Sequence, residues 1–183
     1  VGLDLYLQMV EQAVQRLKGQ VVEEEPDPTL RLSVSAYIPE DYVADSHQRL
    51  SLYKRLSSCG QLGDLALMHG EIEDRYGHPP DPVERLFELM QIRLLAKQLR
   101  LSSVVEQPHA VVITFDPKAT VSETAVQALM DRYKKRLRFL SPLSFELQIP
   151  HEDWSLVFPE LNATLQTLHV CGTNNQGPRT AST

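Results

Sequence analysis

The chain has 183 residues, 42% apolar and 23% charged with only 8 glycines, so it can bury one generous core or two small ones and is neither collagen-like nor mainly disordered. Its 18 Lys and Arg against 24 Asp and Glu give a net charge of −6, which argues against a surface devoted to gripping phosphate backbones. The length excludes a complete multidomain motor, and no run approaches the roughly 18 consecutive apolar residues of a spanning helix, so a soluble protein with no membrane contact is expected.

Residues 1–18 place Leu3, Tyr6, Val10, Ala13, Val14 and Leu17 on one helical stripe, and Gly19 is a natural C-terminal stop. This helix starts with no capping residue ahead of it, as a piece of a longer protein would. Glu23, Glu24, Glu25, Pro26 and Pro28 mark an exposed acidic, proline-bearing linker over residues 20–29. From Leu30 the pattern alternates, with Leu32, Val34 and Ala36 on one face and Arg31, Ser33 and Ser35 on the other, which predicts a half-buried strand that Pro39 ends. Leu50, Tyr53 and Leu56 predict a helix over about residues 46–58, and Leu62, Leu65, Met68, Ile72 and Tyr76 a second one stopping at Gly77. Gly63 and Gly70 inside it each cost about 1 kcal/mol relative to Ala, so this helix depends on packing.

Asp81, Pro82 and Glu84 read as the N-cap, first-turn proline and capping-box glutamate of a helix to about residue 99. One stripe holds Val83, Leu86, Phe87, Met90 and Leu94 and another Leu89, Ile92, Ala96 and Leu99, so this central helix should be buried on more than one side. Residues 104–106 and 110–115 are strand-like and joined by Gln107, Pro108 and His109. Ser122 caps a helix striped by Val126, Leu129, Met130, Tyr133 and Leu137, and Leu143, Phe145, Leu147 and Ile149 alternate as a last strand. Trp154, Val157, Phe158, Leu161, Leu165 and Leu168 predict a closing helix kinked at Pro159, followed by a disordered polar tail over residues 171–183. Helices and strands segregated in this way predict an α+β fold, a small mixed β-sheet packed with several helices, over residues 30–170.

Chemical signatures are scarce. No glycine-rich phosphate loop and no G-x-S-x-G elbow occurs, so no cofactor and no catalytic residue is expected in this stretch. His47, His69, His78, His109, His151 and His169 show no metal-ligand spacing, and the nearest pair, His169 and Cys171, falls short of the three or four ligands a zinc site needs. Cys59 and Cys171 read as free thiols of a reducing cytoplasm, Cys59 without a charge partner to activate it.

Arg132, Lys134, Lys135, Arg136 and Arg138 form the one basic cluster, which suits either a solvated helix end favoured by the macrodipole or a nucleic-acid contact. In the run Glu71, Ile72, Glu73, Asp74, Arg75, Tyr76, Gly77, the acids Glu71 and Asp74 lie three apart on the outer flank of a helix. They suit either an ordinary solvated face with a Glu71–Arg75 pair or an acidic pair that engages a basic partner.

Four runs in this order, VGLDLY (residues 1–6), AYIPEDYV (36–43), RLSLYKRLS (49–57) and EIEDRYGHPPDP (71–82), resemble the C-terminal (TRCF) domain family of bacterial transcription-repair coupling factors. The likeness runs through about residues 1–100, and beyond them only the strand and helix pattern agrees. The chain departs from the family at Gly70, at Glu73 and after Cys171. The resemblance implies a fragment without catalysis of its own, cut from an ATP-driven DNA translocase of the superfamily 2 helicase type whose ATP and Mg lie upstream. The parent displaces stalled RNA polymerase at lesions and recruits UvrA. Residues 1–19 would be the helix leaving its second motor lobe. The resemblance further implies an autoinhibitory domain that docks on the N-terminal UvrB-like module of the same protein, through Glu71 and Asp74 with Arg75 beside them, and masks the UvrA-binding surface. The rivals are a direct nucleic-acid module using Arg132 to Arg138, and a hydrolase with an unrecognised site.

Overall fold

The computed structural model describes residues 27–149 and 154–173, so the helix expected over residues 1–18 and most of the acidic linker lie outside the described residues. In chain order the elements are β1 (Thr29–Arg31), α1 (Ser46–Ser58), α2 (Leu62–Tyr76), α3 (Asp81–Gln98), β2 (Leu101–Gln107), β3 (Ala110–Phe115), α4 (Glu123–Tyr133), a short 3-10 turn (Lys134–Arg136), β4 (Leu137–Ser141), β5 (Ser144–Gln148) and α5 (Trp154–Thr173). The five strands form one mixed sheet in the order β1-β2-β3-β5-β4, with β1 parallel to β2 and the other pairs antiparallel. The fold is α+β, as the pattern of elements predicts.

Two apolar cores meet at α3. Its stripe of Val83, Leu86, Phe87 and Leu94 closes one core with Leu52 and Leu56 of α1 and Leu65, Met68 and Ile72 of α2. Its other stripe, Ile92, Leu95 and Ala96, closes a second core with the inner face of the sheet, α4 and α5. Large apolar side chains on both sides make α3 a shared wall, which explains its two-stripe sequence.

Local chemistry fixes the ends. Asp45 accepts a hydrogen bond from the Gln48 N–H (2.8 Å) at the start of α1, and Ser122 accepts one from the Ala125 N–H (3.1 Å) at the start of α4. Gly77 closes α2 at φ +85, a conformation that side chains with a Cβ avoid.

Several expected boundaries differ. The inward alternation holds from Leu30 to Ile38, yet only residues 29–31 pair with β2. The donors of the following residues go elsewhere: Ser33 N–H to the Glu106 carboxylate (2.6 Å), Tyr37 N–H to the Pro82 carbonyl (3.2 Å) and Ile38 N–H to the Tyr53 hydroxyl (2.7 Å). Residues 32–38 are therefore an extended strap that crosses from the sheet to the helical core. The linker expected up to residue 29 is already anchored at its end, with Pro28 buried and Asp27 bound by Arg93 (2.7 Å) and Lys97 (3.9 Å) of α3. At the start of α3 the N-cap is Pro80, and Asp81 and Pro82 are already helical, so the expected capping box does not form. Further on, α4 stops at Tyr133 because Lys134 turns to φ +49, and Leu137 and Phe139 pair with Leu147 and Phe145 as an edge strand in place of a last helical turn. Helix α5 runs through Pro159 to Thr173, past the expected tail boundary at 171.

Candidate functional site

Helix α2 lies between α1 and α3 because Leu65, Met68 and Ile72 recur at helical spacing and are buried. The opposite side therefore faces out, and at 3.6 residues per turn it carries Gly63, Leu67, Gly70 and Asp74 in one row. Asp64 and Glu71 flank that row on the side of α1.

The C-terminal turn of α2 is held largely by residues from the runs 36–43, 49–57 and 71–82. Tyr42 donates from its hydroxyl to the Gly77 carbonyl (2.7 Å) and packs its ring 5.9 Å from that of Tyr76, whose own hydroxyl donates to Gln48 Oε1 (2.9 Å). Arg49 donates to the Val43 and Ala44 carbonyls (2.8 and 2.9 Å) and to the Glu40 carboxylate (2.8 Å). Runs 36–43, 49–57 and 71–82 thus interlock through Tyr42, Arg49 and Arg55.

Glu71 receives both ends of the Arg55 guanidinium, at 2.8 and 2.5 Å, and this hydrogen bonding holds its carboxyl below the usual carboxylate range. Its partner is on α1, not Arg75, whose guanidinium lies over the Tyr76 ring at 5.3 Å. Asp74 is exposed and makes no ion pair or hydrogen bond among the described residues. The two acids are therefore unequal: Arg55 aims Glu71, and Asp74 is open.

On the α3 side of α2, His69 Nε2 lies 3.0 Å from both oxygens of Glu84 and its ring meets Phe87 edge-on at 4.8 Å. Glu88 is raised above the usual carboxylate range by burial and by Glu84. Burial likewise pushes the Cys59 thiol up, as expected for an unactivated cysteine. Among the described residues no group of three or more His, Cys, Asp or Glu side chains gathers in a metal-holding arrangement.

The basic cluster does not share one helical face, contrary to expectation. Arg132 is on α4 with its guanidinium over the Tyr133 ring, Lys134, Lys135 and Arg136 form the 3-10 turn, and Arg138 lies on β4. Arg136 is held by Glu160 (2.7 Å) and by the Gln148 carbonyl (3.0 and 2.8 Å), and Arg138 lies 3.9 Å from Glu146. Lys134 and Lys135 are exposed.

Sequence reading missed two features of the α2 surface. Arg55 as the partner of Glu71 is a contact between helices that no local spacing announces, whereas Leu67, which falls outside the Leu65–Met68–Ile72 stripe, was visible as an apolar residue on the wrong side. None of the helices searched among the described residues is long and apolar enough to cross a membrane.

The model of a family described as the TRCF domain matches residues 32–126. A transcription-repair-coupling factor of Myxococcus xanthus is 33% identical over 150 residues, covering 82% of this chain and 12% of that protein. One from Bacillus subtilis is 33% identical over 121 residues, 66% of this chain and 10% of that protein. The chain thus spans about a tenth of the length of these relatives. A crystal structure of the C-terminal domain of a transcription-repair coupling factor superposes with a TM-score of 0.72 at 16% identity, covering 82% of this chain and 96% of that one.

Proposed function

This chain belongs to the TRCF domain family, the C-terminal domain of transcription-repair coupling factors, and we propose that it is the non-catalytic, autoinhibitory part of such a factor. The role is regulatory within cytoplasmic, transcription-coupled DNA repair. The domain docks on the N-terminal UvrB-like module of the same protein, masks the surface that UvrA binds, and restrains the ATP-dependent translocase that displaces stalled RNA polymerase. Nucleotide, Mg and most DNA contacts belong to the upstream modules.

One observation carries this reading: Asp74 and Glu71 stand on the side of α2 that faces away from the core, and Asp74 has no internal partner among the described residues. An acidic pair of this kind sets orientation and specificity toward a basic neighbour. Arg75 places its guanidinium over the Tyr76 ring. The nucleic-acid alternative has less support, because Glu160 and Glu146 already engage Arg136 and Arg138.

A clamp needs only modest coupling, about 1–3 kcal/mol or roughly 5–150-fold in affinity. Glu71→Arg with Asp74→Arg in the full-length parent is expected to raise UvrA binding and basal ATPase activity within that range. A folded double variant with both values unchanged overturns the proposal.

A further inference from the structure

We infer that Leu67 is the apolar anchor of the α2 docking face, and that the surface it fits is a shallow apolar socket rimmed by cationic side chains. The inference rests on the docking role of Glu71 and Asp74 proposed above.

Leu67 is 77% exposed, against 45–56% for the other exposed large hydrophobics among the described residues. One exposed leucine needs no explanation by itself. Its surroundings distinguish it. It stands one turn from Glu71 and two turns from Asp74, with Asp64 at the other end, so an apolar centre is bordered by acids. Apolar centre and polar border is the arrangement of a protein interface, in which the border excludes water from the anchor.

The helix is also low on both sides of Leu67. A Cβ at Gly63 or Gly70 would meet nothing within 4 Å, and only Gly77 among the glycines of the described residues has a positive φ. The domain itself has no use for glycine at either place, whereas a backbone approaching along this row does. Beside the row, a groove of about 410 Å³ between α1 and α2 is lined by Lys54, Arg55, Cys59, Asp64, Leu67 and Met68. Lys54 on its α1 side keeps a cationic partner over α2, since cations placed over α1 would be repelled.

The test is cysteine labelling. Leu67→Cys is introduced with Cys59→Ser and Cys171→Ser, both in the 183-residue chain and in the full-length parent, and maleimide labelling at that site is timed. Fast labelling in the chain, at least tenfold slower labelling in the parent, and recovery of the fast rate on adding Glu71→Arg and Asp74→Arg are expected. Equal rates in chain and parent overturn the anchor. If charge reversal nevertheless raises UvrA binding, the docking role of the acids stands without it. Protection in the parent that survives charge reversal, with UvrA binding unchanged, keeps Leu67 covered and removes the role of the acids. As a second measurement, Gly70→Gln should leave the chain at least as heat-stable while raising UvrA binding by the parent. No rise means that nothing approaches the helix there.

Discussion

The two cores use polar groups differently. Around α1 and α2, tyrosine and arginine side chains reach across the chain to backbone groups: Tyr53 to Ile38, Tyr42 to Gly77 and Arg49 to Val43 and Ala44. In the sheet half Arg136 makes one such reach, to the Gln148 carbonyl, while the core itself is apolar volume with the Tyr133 hydroxyl bonded to Thr164 (2.7 Å) inside it. A hydrogen bond to a backbone carbonyl tolerates few substitutions, whereas an apolar layer tolerates many combinations of the same volume. The runs 36–43, 49–57 and 71–82 lie in the helical half.

The largest expected effect tests whether the two cores are one unit. Leu95 is fully buried on the shared wall, and Leu95→Ala should cost about 2–5 kcal/mol in denaturant unfolding and loosen amide exchange in both halves. Loosening confined to the sheet would mean that the cores are stable separately.

Next come two hydroxyl deletions. Tyr53→Phe leaves the Ile38 N–H without its partner and should cost about 1–3 kcal/mol. Tyr133→Phe should cost only about 1 kcal/mol, because Thr164 keeps its bond to the Glu160 carbonyl (2.8 Å). Equal losses in thermal unfolding would erase the contrast drawn between the halves.

Glycines divide the helical half internally. Gly77→Ala must adopt φ +85 and should lose about 1 kcal/mol, while Gly70→Ala gains a side chain in open space and should stabilise by about 0.5–1 kcal/mol. Opposite signs in the same melting assay are the outcome to look for.

The smallest effect is in pH dependence. Arg55 depresses the Glu71 carboxyl, so the stability this pair adds is present above the ordinary value near 4.5 and is lost as pH falls through the depressed one. Arg55→Ala should flatten that part of the acid-side loss in urea unfolding between about pH 6 and about pH 3. An unchanged slope would show that the ion pair carries no weight in solution. Glu88, raised by burial, works in the opposite sense and loses stability as pH rises through its folded value.

Much of this was legible from spacing. The bounds of α1 and β3, the two stripes of α3, the stop at Gly77 and the cap at Ser122 follow from periodicity and local capping. Long-range contacts decided the rest. Residues 32–38 alternate as a strand does, but Glu106, Tyr53 and Pro82 take their donors, and no local signal marks those partners. Residues 134–141 fit both a 3.6 and a 2 period, and pairing with β5 chose the second. At the candidate site the acids were found as a motif, while their inequality came from Arg55, sixteen residues away.

The three-residue ladder of β1 also has a mechanical meaning. A pull applied at Asp27 is borne by contacts that include its ion pairs to Arg93 and Lys97 of α3 and the pairing of β1 with β2. Behind them Leu30, Leu32 and Val34 are only partly buried, so this edge is expected to part before either core opens.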